Sequence, residues 1–148
     1  LMMWRTYSPV VSNSSQLERR LGGAVAVLVV ITELVGVLVT GSGPHAGDID
    51  TPRNGLDSES LQHFHSYPAY ASLLGLVVLL LLVRRRDVDG YASRLVFWSV
   101  VAITVQAFVG VTQARLGLPA ELVALHLLLA SSIIALVTFA WLSLRSKR

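Results

Sequence analysis

Four long apolar runs separated by short polar stretches divide the chain: Leu21 to Thr40, Tyr67 to Val83, Leu95 to Val111 and Leu118 to Leu144. Each is close to the ~20 residues that an α-helix needs to cross a bilayer. A single charge, Glu33, interrupts the first run. The first run continues into a polar loop with no small-residue cleavage pattern, so none of the runs reads as a cleavable signal peptide. The pattern predicts an all-α fold, a four-helix transmembrane bundle in the lipid bilayer.

Composition agrees with that pattern. Apolar residues make up 53% of the chain and charged residues 14%, against roughly 25% charged in a soluble domain. Four helices with short connections use nearly all of the 148 residues. The expected organisation is a cytoplasmic linker over 1–20, a membrane domain over 21–144 and a cytoplasmic tail over 145–148.

Charge sets the expected orientation. Of the twelve basic residues, ten fall in the amino-terminal segment (Arg5, Arg19, Arg20), the second loop (Arg84, Arg85, Arg86, Arg94) and the tail (Arg145, Lys147, Arg148). Arg53 and Arg115 alone lie in the first and third loops. The positive-inside rule then puts both termini and the second loop in the cytoplasm. The net charge of +3 follows from this topology, and no nucleic-acid partner is needed to explain it. With no cysteine, disulfides, thiolate ligation and iron–sulfur clusters are excluded.

The connections carry their own signals. Leu1-Met2-Met3-Trp4 followed by Arg5 resembles the last turn of an earlier span, and Tyr7 to Gln16 is a polar linker. The expectation is a carboxy-terminal fragment, with an unusual start codon and a short tail as the alternative. Gly41-Ser42-Gly43-Pro44-His45-Ala46-Gly47-Asp48 predicts a tight backbone structure. Asp57 or Ser58 caps the second helix. Pro68 either kinks that helix about one turn after His65 or marks its regular start. The third loop, Leu116 to Pro119, is so short that the third and fourth helices must be antiparallel neighbours.

Candidate chemistry centres on histidine. His126 lies inside Leu122-Val123-Ala124-Leu125-His126-Leu127-Leu128-Leu129-Ala130, where hydrocarbon penalises an imidazole unless something binds it. His65 opens the second apolar run. Both helices start from the outer side, which puts His126 about 10 Å down its axis and both imidazoles in the outer half of the membrane. Two such imidazoles without a cysteine point to paired axial ligands of a haem iron. Ala69, Ser72 and Ala130, at helical spacing, leave room for a flat macrocycle, though small residues equally permit close helix packing. The alternative for His126 is a neutral imidazole hydrogen-bonded inside the bundle.

The other candidates are weaker. His63 is the fallback ligand, two residues from His65 on a different helix face. His45, in the loop, caps, contacts a haem edge or is solvated. Glu33 serves a proton path, pairs with a polar neighbour such as Gln106, or is a protonated acid hydrogen-bonded in the bundle. Arg84 to Arg86 anchor topology, with lipid-headgroup contact as the sharper alternative.

Taken together, these residues resemble one family. Val39-Thr40-Gly41-Ser42-Gly43-Pro44-His45-Ala46-Gly47-Asp48 looks like the outer-loop signature of actinobacterial-type haem A synthases. Gln106-Ala107-Phe108-Val109-Gly110 and Gly117-Leu118-Pro119-Ala120-Glu121-Leu122-Val123-Ala124-Leu125-His126 look like that family's seventh and eighth helices. The resemblance runs from about Leu21 to Leu142. It implies one half of a pseudo-symmetric eight-helix enzyme of the plasma membrane. Such an enzyme oxidises a methyl group of haem O to a formyl group, giving haem A for terminal oxidases. It further implies that His65 and His126 ligate a haem b. Haem O is then the substrate, bound by the missing amino-terminal half, where the catalytic residues are also expected. Haem O synthase and terminal-oxidase assembly factors are the implied partners.

Two departures from the family stand out. No carboxylate directly adjoins His65 in Leu61-Gln62-His63-Phe64-His65, and the outer-loop cysteine pair of many members is missing. The competing readings are a bis-histidine b-type cytochrome that only transfers electrons, a half-size dimeric homologue, and a four-helix subunit without a cofactor.

Overall fold

The computed structural model describes residues 14–43, 50, 52–86 and 90–145. They form four α-helices: α1 Gln16–Ser42, α2 Ser58–Arg85, α3 Gly90–Arg115 and α4 Ala120–Arg145. All four are long and apolar enough to cross a membrane. The expected first span from Leu21 is extended at its amino terminus by a capping box. The Ser15 hydroxyl accepts from the Glu18 N–H while the Glu18 carboxylate accepts from the Ser15 N–H.

Helix α2 also starts before its apolar run. Asp57 is its N-cap and accepts from the Ser60 N–H at 2.8 Å. Hydrogen bonds from the Ser60 side chain and backbone hold the Asp57 carboxyl below its ordinary range. The helix runs through Pro68, so His65 lies within α2 rather than ahead of it. Between α3 and α4, Gly117 (φ 75°) and Leu118 (φ 61°) take left-handed conformations. The Leu118 N–H reaches back to the Gln113 carbonyl at 2.8 Å.

Neighbouring helices pack around a square, α1 on α2, α2 on α3, α3 on α4 and α4 on α1, with no close backbone approach across either diagonal among the described residues. Arg86, just past α2, pairs with Glu18 of α1 at 3.7 Å, and the Ser14 hydroxyl donates to the Leu144 carbonyl of α4. One end of the bundle therefore gathers the start of α1 and the ends of α2 and α4. At the other end, the Asn54 N–H and side-chain amide donate to the Gly41 and Leu38 carbonyls, closing α1 onto the approach to α2. Arg84, Arg85 and Arg145 lie at the first end, near helix carboxy termini whose dipoles favour them.

Packing is unequal along the axis. At the arginine-rich end, Leu79, Leu80, Val83, Ala92, Val96, Ala140 and Leu144 form one buried cluster. Midway, Val25, Val29, Leu76, Ile103, Ile133 and Val137 form a second. Gly75 allows α1 and α2 to approach closely, since a Cβ there would lie 2.6 Å from Val25 Cγ2. The buried hydroxyls inside α1, α2 and α3 bond within their own helices: Thr32 donates to the Leu28 carbonyl, Ser72 to Pro68 and Ser99 to Leu95. Outward faces are apolar, with Val37 69% and Phe108 73% exposed. A bilayer would solvate such faces.

Candidate functional site

Above the two packed clusters, towards the first and third loops, the bundle opens into a cavity of about 620 Å³ lined by all four helices. Helices α2 and α4 stand diagonally opposite, and each contributes one histidine. The imidazoles of His65 and His126 face one another with ring centroids 6.2 Å apart and planes tilted by 58°. The two residues are sixty-one positions apart in sequence, and only the packing of four helices brings them together.

Each ring rests on a glycine of the preceding helix. A Cβ on Gly36 of α1 would lie 3.0 Å from His65 Cε1 and 3.2 Å from Nδ1, and one on Gly110 of α3 would lie 3.0 Å from His126 Cε1 and 3.5 Å from Nδ1. In both cases Nε2 is farther away, at 4.0 Å. Glycine thus makes room for the Cε1–Nδ1 edge of each imidazole. His65 Nδ1 donates to the Thr32 carbonyl at 2.9 Å. That bond selects the Nδ1–H tautomer and leaves the Nε2 lone pair free.

His126 is held differently. The Gln106 side-chain amide donates to the His126 backbone carbonyl at 3.0 Å. His126 Nδ1 itself is buried without a hydrogen-bond partner among the described residues, as is Gln106 Oε1. The expected pairing of Gln106 with Glu33 is therefore not formed. Glu33 lines the cavity, and its carboxylate makes no hydrogen bond or ion pair among the described residues.

Of the small residues expected beside the histidines, Ala69 and Ala130 line the cavity. Ser72 does not; it is fully buried in the helix packing, with its hydroxyl on the Pro68 carbonyl. His63 also lines the cavity but is exposed, stacked on Tyr67 at 6.5 Å. His45 and most of the Gly41–Asp48 motif lie outside the described residues.

Sequence reasoning missed Thr32 and Gly36 altogether. The one available signal was the Thr32-Glu33 polar step and Gly36 inside an otherwise aliphatic run. No protein-family model, curated protein or solved structure matches the chain.

Proposed function

We propose that the cavity binds a b-type haem with His65 and His126 as its axial ligands. The opposed imidazoles carry this reading. An iron bonded to two imidazole nitrogens at about 2 Å each places the ring centroids about 6 Å apart, and these rings are 6.2 Å apart. Among the described residues no group of three or more His, Asp or Glu side chains comes together to hold a bare metal ion. A macrocycle that brings its own nitrogen donors suits a site with two imidazoles. The cavity volume lies within the ordinary range for a small-molecule site, about 300–1,000 Å³.

A haem bound here would supply one-electron transfer. The chain's own residues hold, orient and shield. The Thr32 carbonyl fixes the His65 tautomer. Gly36 and Gly110 admit the two rings. The aliphatic cluster of Val29, Ile103 and Ile133 closes the cavity floor against water.

The finer reading rests on the sequence resemblance: this is the haem-b-binding four-helix half of a haem A synthase in the cell membrane. Methyl oxidation of haem O then belongs to the other half of that enzyme. A bis-histidine electron-transfer cytochrome is the second reading, favoured by the fact that these four helices contain both ligands.

The test is reconstitution of the protein in nanodiscs with haem b, followed by visible and electron paramagnetic resonance spectra. A low-spin, six-coordinate haem is expected, lost in His65→Ala and His126→Ala and kept in His63→Ala. Failure of the unmodified protein to give a low-spin haem would overturn the proposal. Conversion of haem O to haem A by membranes expressing the complete reading frame separates the synthase from the cytochrome.

A further inference from the structure

The two histidines are anchored unequally, and the inequality exposes a complementary pair of groups. His65 Nδ1 has its acceptor, the Thr32 carbonyl, at 2.9 Å. His126 Nδ1 has none and is buried. Its neighbour Gln106 already reaches His126, donating to that residue's backbone carbonyl at 3.0 Å. The oxygen of the same Gln106 amide is likewise buried without a partner among the described residues, as is that of Gln113 on the cavity wall, and Gln106 is the one already bonded to His126. A ring nitrogen able to donate and an acceptor oxygen thus lie unsatisfied on two residues already joined by one hydrogen bond. Both orphaned groups are costly in an apolar bundle, and pairing them removes both costs.

Their surroundings favour the same pairing. Gln106 and Gly110 are four residues apart and share one face of α3. Gly110 receives the Cε1–Nδ1 edge of the His126 ring, so that edge is turned towards α3, the helix that carries Gln106. On α1, Thr32 and Gly36 stand four apart in the same way, with the carbonyl of one and the missing Cβ of the other serving His65.

We propose that Gln106 is the positioning residue for His126: its Oε1 accepts the His126 Nδ1–H while its Nε2 stays on the His126 carbonyl. The paired amide locks the imidazole as the Nδ1–H tautomer. Nε2 then keeps its lone pair for a ligand between the two histidines. Gln106 thereby does for His126 what the Thr32 carbonyl does for His65, with one difference: a side chain can be replaced. This deepens the haem-binding reading of the same cavity, but the tautomer belongs to the ligand-free chain and is measurable there.

The experiment is nitrogen NMR of the full chain, labelled at histidine with ¹⁵N, in lipid nanodiscs without haem. His126 should show a protonated, hydrogen-bonded Nδ1 and a bare Nε2. Gln106→Leu should abolish the hydrogen-bonded Nδ1 signal of His126 and mix its tautomers. Gln106→Glu, which keeps an acceptor oxygen at the same reach, should restore the signal. Gln113→Leu removes the other buried, unpartnered glutamine oxygen and should change nothing at His126. The His65 signal, held by a backbone carbonyl, reports whether each variant keeps its fold.

A His126 Nδ1 signal unchanged in Gln106→Leu, or lost equally in the leucine and glutamate variants, would overturn the proposal. Should the leucine variant lose its fold, the glutamate variant decides alone, because failure there to hold the Nδ1–H tautomer is also fatal. With haem bound, Gln106→Leu should raise the midpoint potential, since loss of the acceptor weakens the imidazole as a donor to ferric iron. Absence of haem binding would refute the cofactor and leave the NMR result standing.

Discussion

His65 and His126 meet across the bundle diagonal, with ring centroids 6.2 Å apart, although the backbones of α2 and α4 do not approach closely. The rings span a gap that the helices leave open. Most of the packing that holds the fold lies in the two aliphatic clusters below the histidines, the upper of which forms the cavity floor. Replacing either histidine with Ala should therefore abolish low-spin haem while leaving helix content unchanged. Circular dichroism beside the visible spectrum checks this. Unfolding of both variants would mean that the rings are structural.

Gly36→Ala and Gly110→Ala each put a Cβ 3.0 Å from a histidine Cε1. The ring must shift by a few tenths of an ångström, because helix backbone on the other side cannot. Both variants should still bind haem, with altered g-values in electron paramagnetic resonance. Stability should fall by about 1–3 kcal/mol or less, the usual range for overpacking. Spectra identical to those of the parent protein would show that the glycines do not set ring orientation.

Gly75→Ala tests the close approach of α1 and α2 away from the site. Its new Cβ would lie 2.6 Å from Val25 Cγ2, and destabilisation of about 1–3 kcal/mol is expected. Val25→Ala in the same chain removes the clashing methyl, so the double variant should lose less than the sum of the two singles. Additive losses in a denaturation series would refute the contact.

Acid should loosen the start of α2. Ser60 hydrogen bonds depress the Asp57 carboxyl, so the capping contribution is fully present above the ordinary aspartate value. It is lost as pH falls through the lowered value in the folded state. Protection of the amides at residues 58–61, measured as exchange relative to the intrinsic rate at each pH, should fall over that acidic window, and Asp57→Ala should show the lower protection already at neutral pH. Protection factors independent of pH in the parent protein would rule out this role.

Apart from Arg53 and Arg115, the described arginines gather at the end holding the start of α1 and the ends of α2 and α4, and the positive-inside rule predicts that this end is cytoplasmic. Ser42→Cys and Ser93→Cys, placed singly, should label from opposite sides of the membrane, with Ser93→Cys protected from outside reagent. Labelling of both from outside would reverse the inference drawn from the positive-inside rule.

The chain's own letters were enough for the four spans, the antiparallel pairing of α3 and α4 and a cap at Asp57 or Ser58, because length, hydropathy and capping chemistry are local properties; the structure chose Asp57. The two anomalous histidines were equally legible, since an imidazole inside a leucine run is conspicuous without any neighbour. What surrounds them was not. Ser72, expected beside the cavity from its helical spacing to His65, packs in the core instead, while Thr32 and Gly36 of α1 supply the carbonyl and the space for His65. Gln106 went to His126 and left Glu33 unpaired. The reason is physical. In a soluble bundle an apolar stripe reveals which face of a helix turns inward, but helices solvated by lipid are apolar on every side. Their rotation about their own axes is decided by small residues, close packing and the few polar groups that find partners, and those choices exist only once all four helices stand together.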